Sequence, residues 1–248
     1  QVMVTGALVA VLFAVVDSGV GESTFIELVR VVVWQSVMAD VATAMAKFPN
    51  PPTALTIPAI TRVLPAGTRL WRVYHSAGAH PVTWNSFRFF GPTAARFDHH
   101  DLPKRVQAKG ILYAAGGATT CLAEVFQATR VIDRSSGQPW LVGFETVAEL
   151  TLLDLAGAWP TRAGASMAIN SGPRPRARNW SRLIASTYLQ IQGLYYPSSM
   201  HANQPSVALY ERARGAMPAV PVFNRALSDP TLAARLGTAA RRLGYTIT

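Results

Sequence analysis

The stretch ILYAAGGATTCLAEVFQATR, residues 111–130, joins a strand pattern to a helix pattern. A short apolar run containing Tyr113 breaks on two glycines, and a helical pattern then carries Glu124 among apolar neighbours. The chain has only 13 acidic residues, so a glutamate on such a helix needs an explanation. Taken alone, Glu124 is either a solvated flank position, a partner for Arg130, or a functional carboxylate.

The rest of the chain predicts a sheet-rich core with a few helices. Strand-like length and aromatic or β-branched content mark residues 68–75, 110–115, 140–147, 149–155, 194–198 and 206–211. Helical patterns cover residues 119–129, 179–192 and 229–243, and the last of them opens with the N-terminal signal Ser-Asp-Pro. Because strands and helices do not alternate regularly, we expect a mixed α+β domain and not a doubly wound parallel sheet.

Composition limits the compartment and the partners. A formal net charge of +10 attracts phosphates, nucleic acid or an acidic protein, and its sign does not choose among them. The single cysteine, Cys121, excludes an intramolecular disulfide framework, and the sequence lacks the Cys and His spacings of a zinc site. We therefore expect a cytoplasmic protein without a bound metal.

Residues 1–50 form an apolar extension whose role the sequence leaves open. The stretch VMVTGALVAVLFAVVDSG is short for a membrane span, and the following FIELVRVVVWQSVMADVATAMA has helical periodicity. A buried or partner-covered helix, a removable extension and a membrane anchor all fit, and Met38 is an alternative beginning. Five prolines across residues 47–67 predict an extended linker over 51–67, followed by the functional domain over 68–248.

No short catalytic motif is present: the sequence has no phosphate-binding loop, dinucleotide-binding glycine motif, nucleophile elbow or HExxH. Isolated polar residues at strand and helix junctions remain, and each has an ordinary structural explanation. Arg72 can face solvent, Tyr113 can pack in the core, and Ser181 can satisfy free N–H groups of a helix. The arginine-rich run at 172–182 is either a solvated loop or a contact for phosphate or an acidic partner.

Read in order, six segments resemble the RES domain, named for Arg, Glu and Ser and found as the toxin of Xre-RES toxin–antitoxin pairs. These are LWRVYH, GPTAARFD, GILYAAGGATTCLAEVF, NWSR, IQGLYYPSS and SVALYE. The resemblance covers roughly residues 60–225, and its most specific part is Tyr113 with Glu124 eleven positions later. It implies a mixed sheet flanked by helices, similar to the ADP-ribosyltransferase domains of bacterial toxins. It also implies cleavage of NAD by hydrolysis or phosphorolysis.

The resemblance assigns roles to seven residues. Glu124, Arg72 and Ser181 are the expected catalytic residues. Four others are expected to bind the substrate: Tyr113, Arg96, Tyr74 and Ser198. Arg96 stands in Ala-Ala-Arg-Phe and lacks the glycine that precedes the family's arginine. The family's serine matches either Ser181 of the Trp-Ser pair, which we prefer on its distance after the glutamate, or Ser198 of the Tyr-Pro-Ser segment.

The same resemblance implies the partners. NAD is expected as the substrate, inorganic phosphate as a co-substrate, and an antitoxin as a protein that blocks the cleft. No permanently bound cofactor and no direct nucleic-acid binding are expected, and the toxin forms a homo-oligomer or a complex with its antitoxin. Two alternatives stay open: transfer of ADP-ribose to a macromolecule, and a non-enzymatic nucleic-acid-binding module suggested by the +10 charge and the arginines at 174–182.

Overall fold

The computed structural model describes residues 26–27, 29–31, 33–35 and 47–248, and the chain divides into two compact units, Gln1–Pro49 and Asn50–Thr248. In the first unit the described residues between 26 and 35 are helical. No helix among the described residues is long and apolar enough to cross a membrane. The apolar stretch at the beginning of the chain and Met38 lie outside the described residues, so the predictions made for them remain predictions.

The second unit contains strands, four α-helices and three short 3₁₀ helices within residues 47–248. The strands are β1 (Thr61–Leu64), β2 (Arg69–His75), β3 (Arg88–Gly91), β4 (Arg105–Ala115), β5 (Val131–Ile132), β6 (Pro139–Glu145), β7 (Leu150–Asp154), β8 (Gly193–Pro197), β9 (Pro205–Tyr210), β10 (Phe223–Ala226) and β11 (Thr246–Ile247). The helices are α1 (Ala118–Val125), α2 (Trp159–Arg162), α3 (Arg174–Thr187) and α4 (Ala233–Leu243), with the 3₁₀ helices η1 (Met167–Asn170), η2 (Glu211–Ala216) and η3 (Pro230–Leu232).

Nine of these strands form one mixed sheet within residues 47–248. Its order is β1-β7-β8-β9-β4-β2-β6-β10, with β3 beside β4, and β5 pairs separately with β11. Within the large sheet β7 and β8 run parallel, whereas the other neighbours are antiparallel. The predicted α+β class, a mixed sheet flanked by helices, is confirmed.

Strands β2 and β4 touch at one point only. Trp71 pairs with Ala115, and this is the single register pair between the two strands. Beyond it β2 continues along β6 and β4 continues along β9, each in full register. The two halves of the sheet therefore separate between β2 and β4, which leaves a gap beside Arg72 and Tyr113.

The glycine break turns the chain from β4 into α1. The Gly116 amide donates to the Pro205 carbonyl at 2.9 Å, and Gly117 then caps α1. Leu122 and Phe126 pack in one core with α4, and the Tyr245 hydroxyl donates to the Ala123 carbonyl at 3.2 Å. This packing fixes the helix that carries Glu124. A second core, which includes Leu70, Leu112, Phe144 and Leu152, takes alternate residues of β4, β7 and β9.

The structure differs from the sequence predictions in the linker and in two helices, of which the first ends at Val125 and not at 129 and the second at Thr187 and not at 192. The expected linker over 51–67 contains β1, which pairs in register with β7, so its last part belongs to the sheet. The second long helix begins at Arg174 instead of 179, and the run at 172–182 is therefore mainly helix and not a loop. Pro175 is compatible with this start because a proline in the first turn gives up a donor that has no intrahelical partner.

Candidate functional site

A cleft of about 470 Å³ opens in the gap between β2 and β4. Its walls come from both strands, from α1, from the segment before Phe97 and from the beginning of α3. Of the seven residues expected at the site, five line it: Arg72, Tyr74, Arg96, Tyr113 and Glu124. A cavity of this size and mixed polarity suits a small-molecule ligand.

Glu124 is held by a serine from a distant part of the chain. Ser198 follows β8, is fully buried, and its Oγ lies 2.5 Å from Glu124 Oε1. The amides of Met200 and His201 donate to the same Oγ at 3.2 and 3.1 Å. A hydroxyl has one proton and two acceptor positions, so these amides direct the Ser198 proton to the glutamate. The carboxylate is therefore oriented by a serine that is itself fixed.

A series of hydrogen bonds continues from Glu124 through Gln127 to α3. Gln127 Nε2 donates to the backbone carbonyl of Glu124 at 2.6 Å, and it lies 3.4 Å from the side-chain Oε2 of the same residue. Arg174 Nη2 donates to Gln127 Oε1 at 2.6 Å. Gln127 thus links the carboxylate to an arginine without letting the two charges pair directly. Glu124 Oε2 carries no strong hydrogen bond in the part of the chain that the structure describes.

Arg72 reaches the cleft from β2. Its Nη1 donates to the carbonyls of Trp84 and Ser86 at 2.8 and 2.9 Å, whereas Nε and Nη2 hydrogen-bond no described residue. Burial lowers the pKa of Arg72 to about 10, which still leaves the guanidinium charged at neutral pH. The side chain is half-buried. It therefore does not extend into solvent, which the alternation of residues along the strand had left open.

The cleft carries more positive than negative charge. Its lining includes four arginines and one carboxylate. Arg88 is neutralised by Asp98 at 2.8 Å, but Arg72, Arg96 and Arg174 have no carboxylate oxygen within 4.0 Å among the described residues. Burial and the nearby charge of Arg174 lower the pKa of Arg96, whose Nη1 donates to the Gly172 carbonyl at 2.5 Å. Three unneutralised guanidinium groups make the cleft a site for anions.

Tyrosines form part of the wall. Burial raises the pKa of both Tyr113 and Tyr196, so both phenols are neutral at physiological pH. The Tyr113 hydroxyl is buried and makes no hydrogen bond to a described residue. The Tyr74 hydroxyl lies 3.1 Å from Asn224 Oδ1, and its ring stacks on Trp140. Tyr113 therefore presents mainly ring surface to the cleft, and Tyr74 is held against the sheet.

Ser181, the serine preferred on its distance after the glutamate, does not line the cleft. It lies inside α3, fully buried, and its Oγ donates to the Phe97 carbonyl at 2.8 Å. The structure thus brings Ser198 and not Ser181 to Glu124. Distance along the chain from the glutamate favoured Ser181. The contact of Ser198 with Glu124 depends instead on the pairing of β8 with β9, which sequence distance does not reveal.

Behind the cleft, Asp98 organises the segment that carries Arg96. It is fully buried and accepts from Thr93, Arg88 and His100, with His100 Nδ1 at 2.5 Å. Burial alone would raise the pKa of Asp98, but the hydrogen bonds from His100 and Thr93 hold it well below the usual range. The ionised carboxylate keeps Arg88 occupied. No group of side chains able to hold a metal ion occurs among the described residues.

Several polar cleft residues were missed from the sequence, among them Gln127, Asn170 and Arg174. Gln127 stands three positions after Glu124, a spacing that places two side chains on one helix face, so this signal was available. Arg174 was visible only as one of four arginines in the basic run. Asn170 lies at the end of η1, and no pattern in the sequence marks it.

Comparison with known proteins finds a family model and a solved structure that are similar to the chain. The family model of the RES domain matches residues 69–235. No curated protein matches the chain. A chain in the crystal structure of the M. tuberculosis MbcT–MbcA toxin–antitoxin complex is similar at 17% identity and a TM-score of 0.43, over 65% of this chain and 85% of that one.

Proposed function

Since the chain belongs to the RES domain family, we propose that it is a toxin that cleaves the bond between nicotinamide and ribose in NAD. An antitoxin that covers the cleft neutralises it, and the pair acts in the cytoplasm. One observation carries the proposal: a single carboxylate, Glu124, lines a cleft with three arginines that no carboxylate of the described residues neutralises. That charge pattern is complementary to a dinucleotide whose ribose becomes cationic during the reaction.

Glu124 acts on the ribose. Loss of nicotinamide leaves positive charge on the C1′–O4′ unit, an oxocarbenium-like state. A carboxylate beside that unit or its 2′-hydroxyl stabilises the transition state more than the ground state only if it is held in place. The Ser198 hydroxyl at 2.5 Å supplies that restraint, and Gln127 adds a bond to the backbone carbonyl of Glu124. Ser198 therefore positions Glu124, and it replaces Ser181 as the family serine in this proposal.

The arginines hold the phosphates. Arg72 offers Nε and Nη2 to the cleft while its Nη1 is anchored on two carbonyls, a geometry suited to one edge of a pyrophosphate. Arg96 is anchored in the same way on Gly172. Fixing the pyrophosphate orients the reacting sugar, which lowers the entropic cost of reaching the transition state. Tyr113 stacks on the nicotinamide or the ribose, and Tyr74 supports the wall beside Arg72.

The acceptor of the ADP-ribosyl group is water or inorganic phosphate. Arg174 is a third guanidinium group of the cleft without a carboxylate partner among the described residues, and it is not one of the two assigned to the pyrophosphate. A phosphate ion held there attacks C1′ through an oxygen, the C1′–N bond breaks, and its electron pair leaves with neutral nicotinamide. With water as the nucleophile, a proton is released and the product is ADP-ribose.

The two competing functions make different demands. Transfer of ADP-ribose to a macromolecule uses the same cleft and differs only in the acceptor. A nucleic-acid-binding module needs exposed aromatics for stacking, whereas Trp180, Tyr188 and Tyr196 are buried. The arginines at 174–182 lie on α3, and Arg174 faces the cleft. The geometry therefore favours a nucleotide ligand over a strand of nucleic acid.

Product analysis tests the reaction. We expect purified protein incubated with NAD to release nicotinamide, with ADP-ribose formed in phosphate-free buffer and a phosphorylated ADP-ribose formed when phosphate is added. Liquid chromatography with mass spectrometry distinguishes the two products. Adenylate-labelled NAD that stays on protein or nucleic acid after denaturation would identify transfer instead. Absence of nicotinamide release under all these conditions contradicts the proposed function.

The two serines give a direct comparison. We expect Ser198→Ala to lower kcat about 10- to 100-fold with little change in KM, because the carboxylate loses its orientation but the phosphate contacts remain. Ser181→Ala leaves the Phe97 carbonyl unpaired in the interior, so it should lower the free energy of unfolding by about 1–3 kcal/mol. Steady-state kinetics and denaturant unfolding of both variants measure these effects. A larger loss of kcat in Ser181→Ala than in Ser198→Ala would refute the assignment.

A further inference from the structure

Asn170 presents a buried acceptor that no described residue uses. It ends η1, lines the cleft and is only 5% exposed. Its Nδ2 donates to the Leu155 carbonyl at 2.9 Å, and its Oδ1 has no hydrogen-bond partner among the described residues. Buried polar atoms are almost always paired, so an unpaired amide oxygen at a ligand cleft is a sign of a missing donor.

The orientation of this amide is fixed by its neighbour. The Leu155 carbonyl can only accept, so it requires the NH₂ group of Asn170 and not the oxygen. A flipped amide would set two oxygens against each other at hydrogen-bond distance. The oxygen is therefore the atom left for a ligand, and the site takes a donor.

The neighbourhood selects the kind of donor. Gly172 holds Arg96 and Arg174 begins α3, so the segment after Asn170 brings two guanidinium groups to the same cleft. Arginines have donors only, and they serve phosphate and sugar oxygens. An N–H₂ group on a base cannot use them and needs an acceptor. In a cleft lined by four arginines and one carboxylate, Asn170 Oδ1 is such an acceptor.

We propose that Asn170 Oδ1 accepts a hydrogen bond from an exocyclic N–H₂ group of the dinucleotide, either the carboxamide of nicotinamide or the amino group of adenine. This assignment rests on the proposed function, because it names the group by which the same cleft selects its substrate. Asn170 is then a specificity-determining residue. It rejects dinucleotides that carry an oxygen acceptor where NAD carries N–H₂, because two acceptors would meet in a buried place.

Two substrate analogues test the proposal on the unmodified protein. One has a carboxylate in place of the nicotinamide carboxamide, and the other has hypoxanthine in place of adenine. We expect kcat/KM to fall about 10- to 100-fold for one analogue and to stay within about threefold for the other, and the sensitive analogue identifies the group that Asn170 binds. Equal turnover of NAD and both analogues would overturn the proposal.

The variant Asn170→Ala, assayed with the same analogues, tests the role of this side chain directly. We expect it to lower kcat/KM for NAD by about 10- to 100-fold and to abolish the discrimination against the sensitive analogue. Asn50→Ala is the matched control, since Asn50 is exposed and does not line the cleft. Discrimination that persists in Asn170→Ala would contradict the assignment. If Asn170→Ala is unstable, Asn170→Ser, which keeps a small polar group, is measured in the same way.

Binding separates this proposal from the reaction itself. Calorimetric titration of Glu124→Gln with NAD and with both analogues measures affinity without turnover. If the wild-type protein releases no nicotinamide, the proposed function fails, and weaker binding of one analogue still supports the role of Asn170. If nicotinamide is released but all three dinucleotides bind equally, the proposed function stands and the Asn170 assignment fails.

Discussion

Glu124→Gln is expected to lower the rate of nicotinamide release by at least about 100-fold. Glutamine keeps the shape of the side chain and can still accept from Ser198, but it removes the negative charge that faces the ribose. Because that charge matters mainly after the C1′–N bond begins to break, kcat should carry the loss and KM should change little. Initial rates of nicotinamide release over a range of NAD concentrations measure both constants.

Glu149→Gln is the matched control for this variant. Glu149 is exposed and does not line the cleft, so the same chemical change there should leave turnover intact. Thermal unfolding of both variants checks that Glu124→Gln keeps the fold. Turnover of a folded Glu124→Gln protein within a few-fold of the wild type would remove Glu124 from the mechanism.

Local periodicity accounts for what could be predicted of the fold. The six predicted strands correspond to β2, β4, β6, β7, β8 and β9, which are confirmed; β4 begins five residues before its predicted start, and the other ends differ by two residues at most. These strands lie inside the sheet, where β-branched and aromatic residues alternate or run together. Strands β1 and β10 lie at its two edges, and they were missed because an edge strand is short and packs on fewer neighbours.

Local pattern could bring together only the residues that are near each other in the chain. Tyr113 and Glu124 lie on one strand–turn–helix unit, whereas Arg72, Tyr74 and Arg96 were expected at the site only through the family resemblance. Ser198 contacts Glu124 across 74 positions, and Arg174 reaches Gln127 across 47. Such contacts depend on strand order, which composition and periodicity do not encode. The preference for Ser181 followed sequence distance, whereas burial inside α3 decides where that side chain points.

The opening of the sheet explains why the arginines matter. One register pair joins β2 to β4, and the gap beyond it exposes the sides of both strands to a ligand. Arg72 stands beside this gap and donates to the carbonyls of Trp84 and Ser86, in the segment before β3, while it keeps its charge beside the cleft. The same side chain thus supports the wall and offers donors to an anion.

Arg72→Ala is therefore expected to lower kcat/KM for NAD by at least about 100-fold, the second large effect. Loss of the paired donors weakens the pyrophosphate contact, so KM should rise, and a less well oriented sugar should also lower kcat. Arg72→Lys keeps a charge but not the planar fork, so it should recover only part of the activity. Steady-state kinetics with NAD and calorimetric titration measure these losses.

The structural role of Arg72 requires a separate readout. Removing the guanidinium leaves the carbonyls of Trp84 and Ser86 without this donor, so Arg72→Ala should also lower the free energy of unfolding, by about 1–3 kcal/mol. Arg235→Ala, at an exposed position of α4 away from the cleft, controls for loss of positive charge. If a folded Arg72→Ala protein binds and cleaves NAD as the wild type does, the pyrophosphate must be held elsewhere, and Arg96 with Arg174 would be the remaining pair.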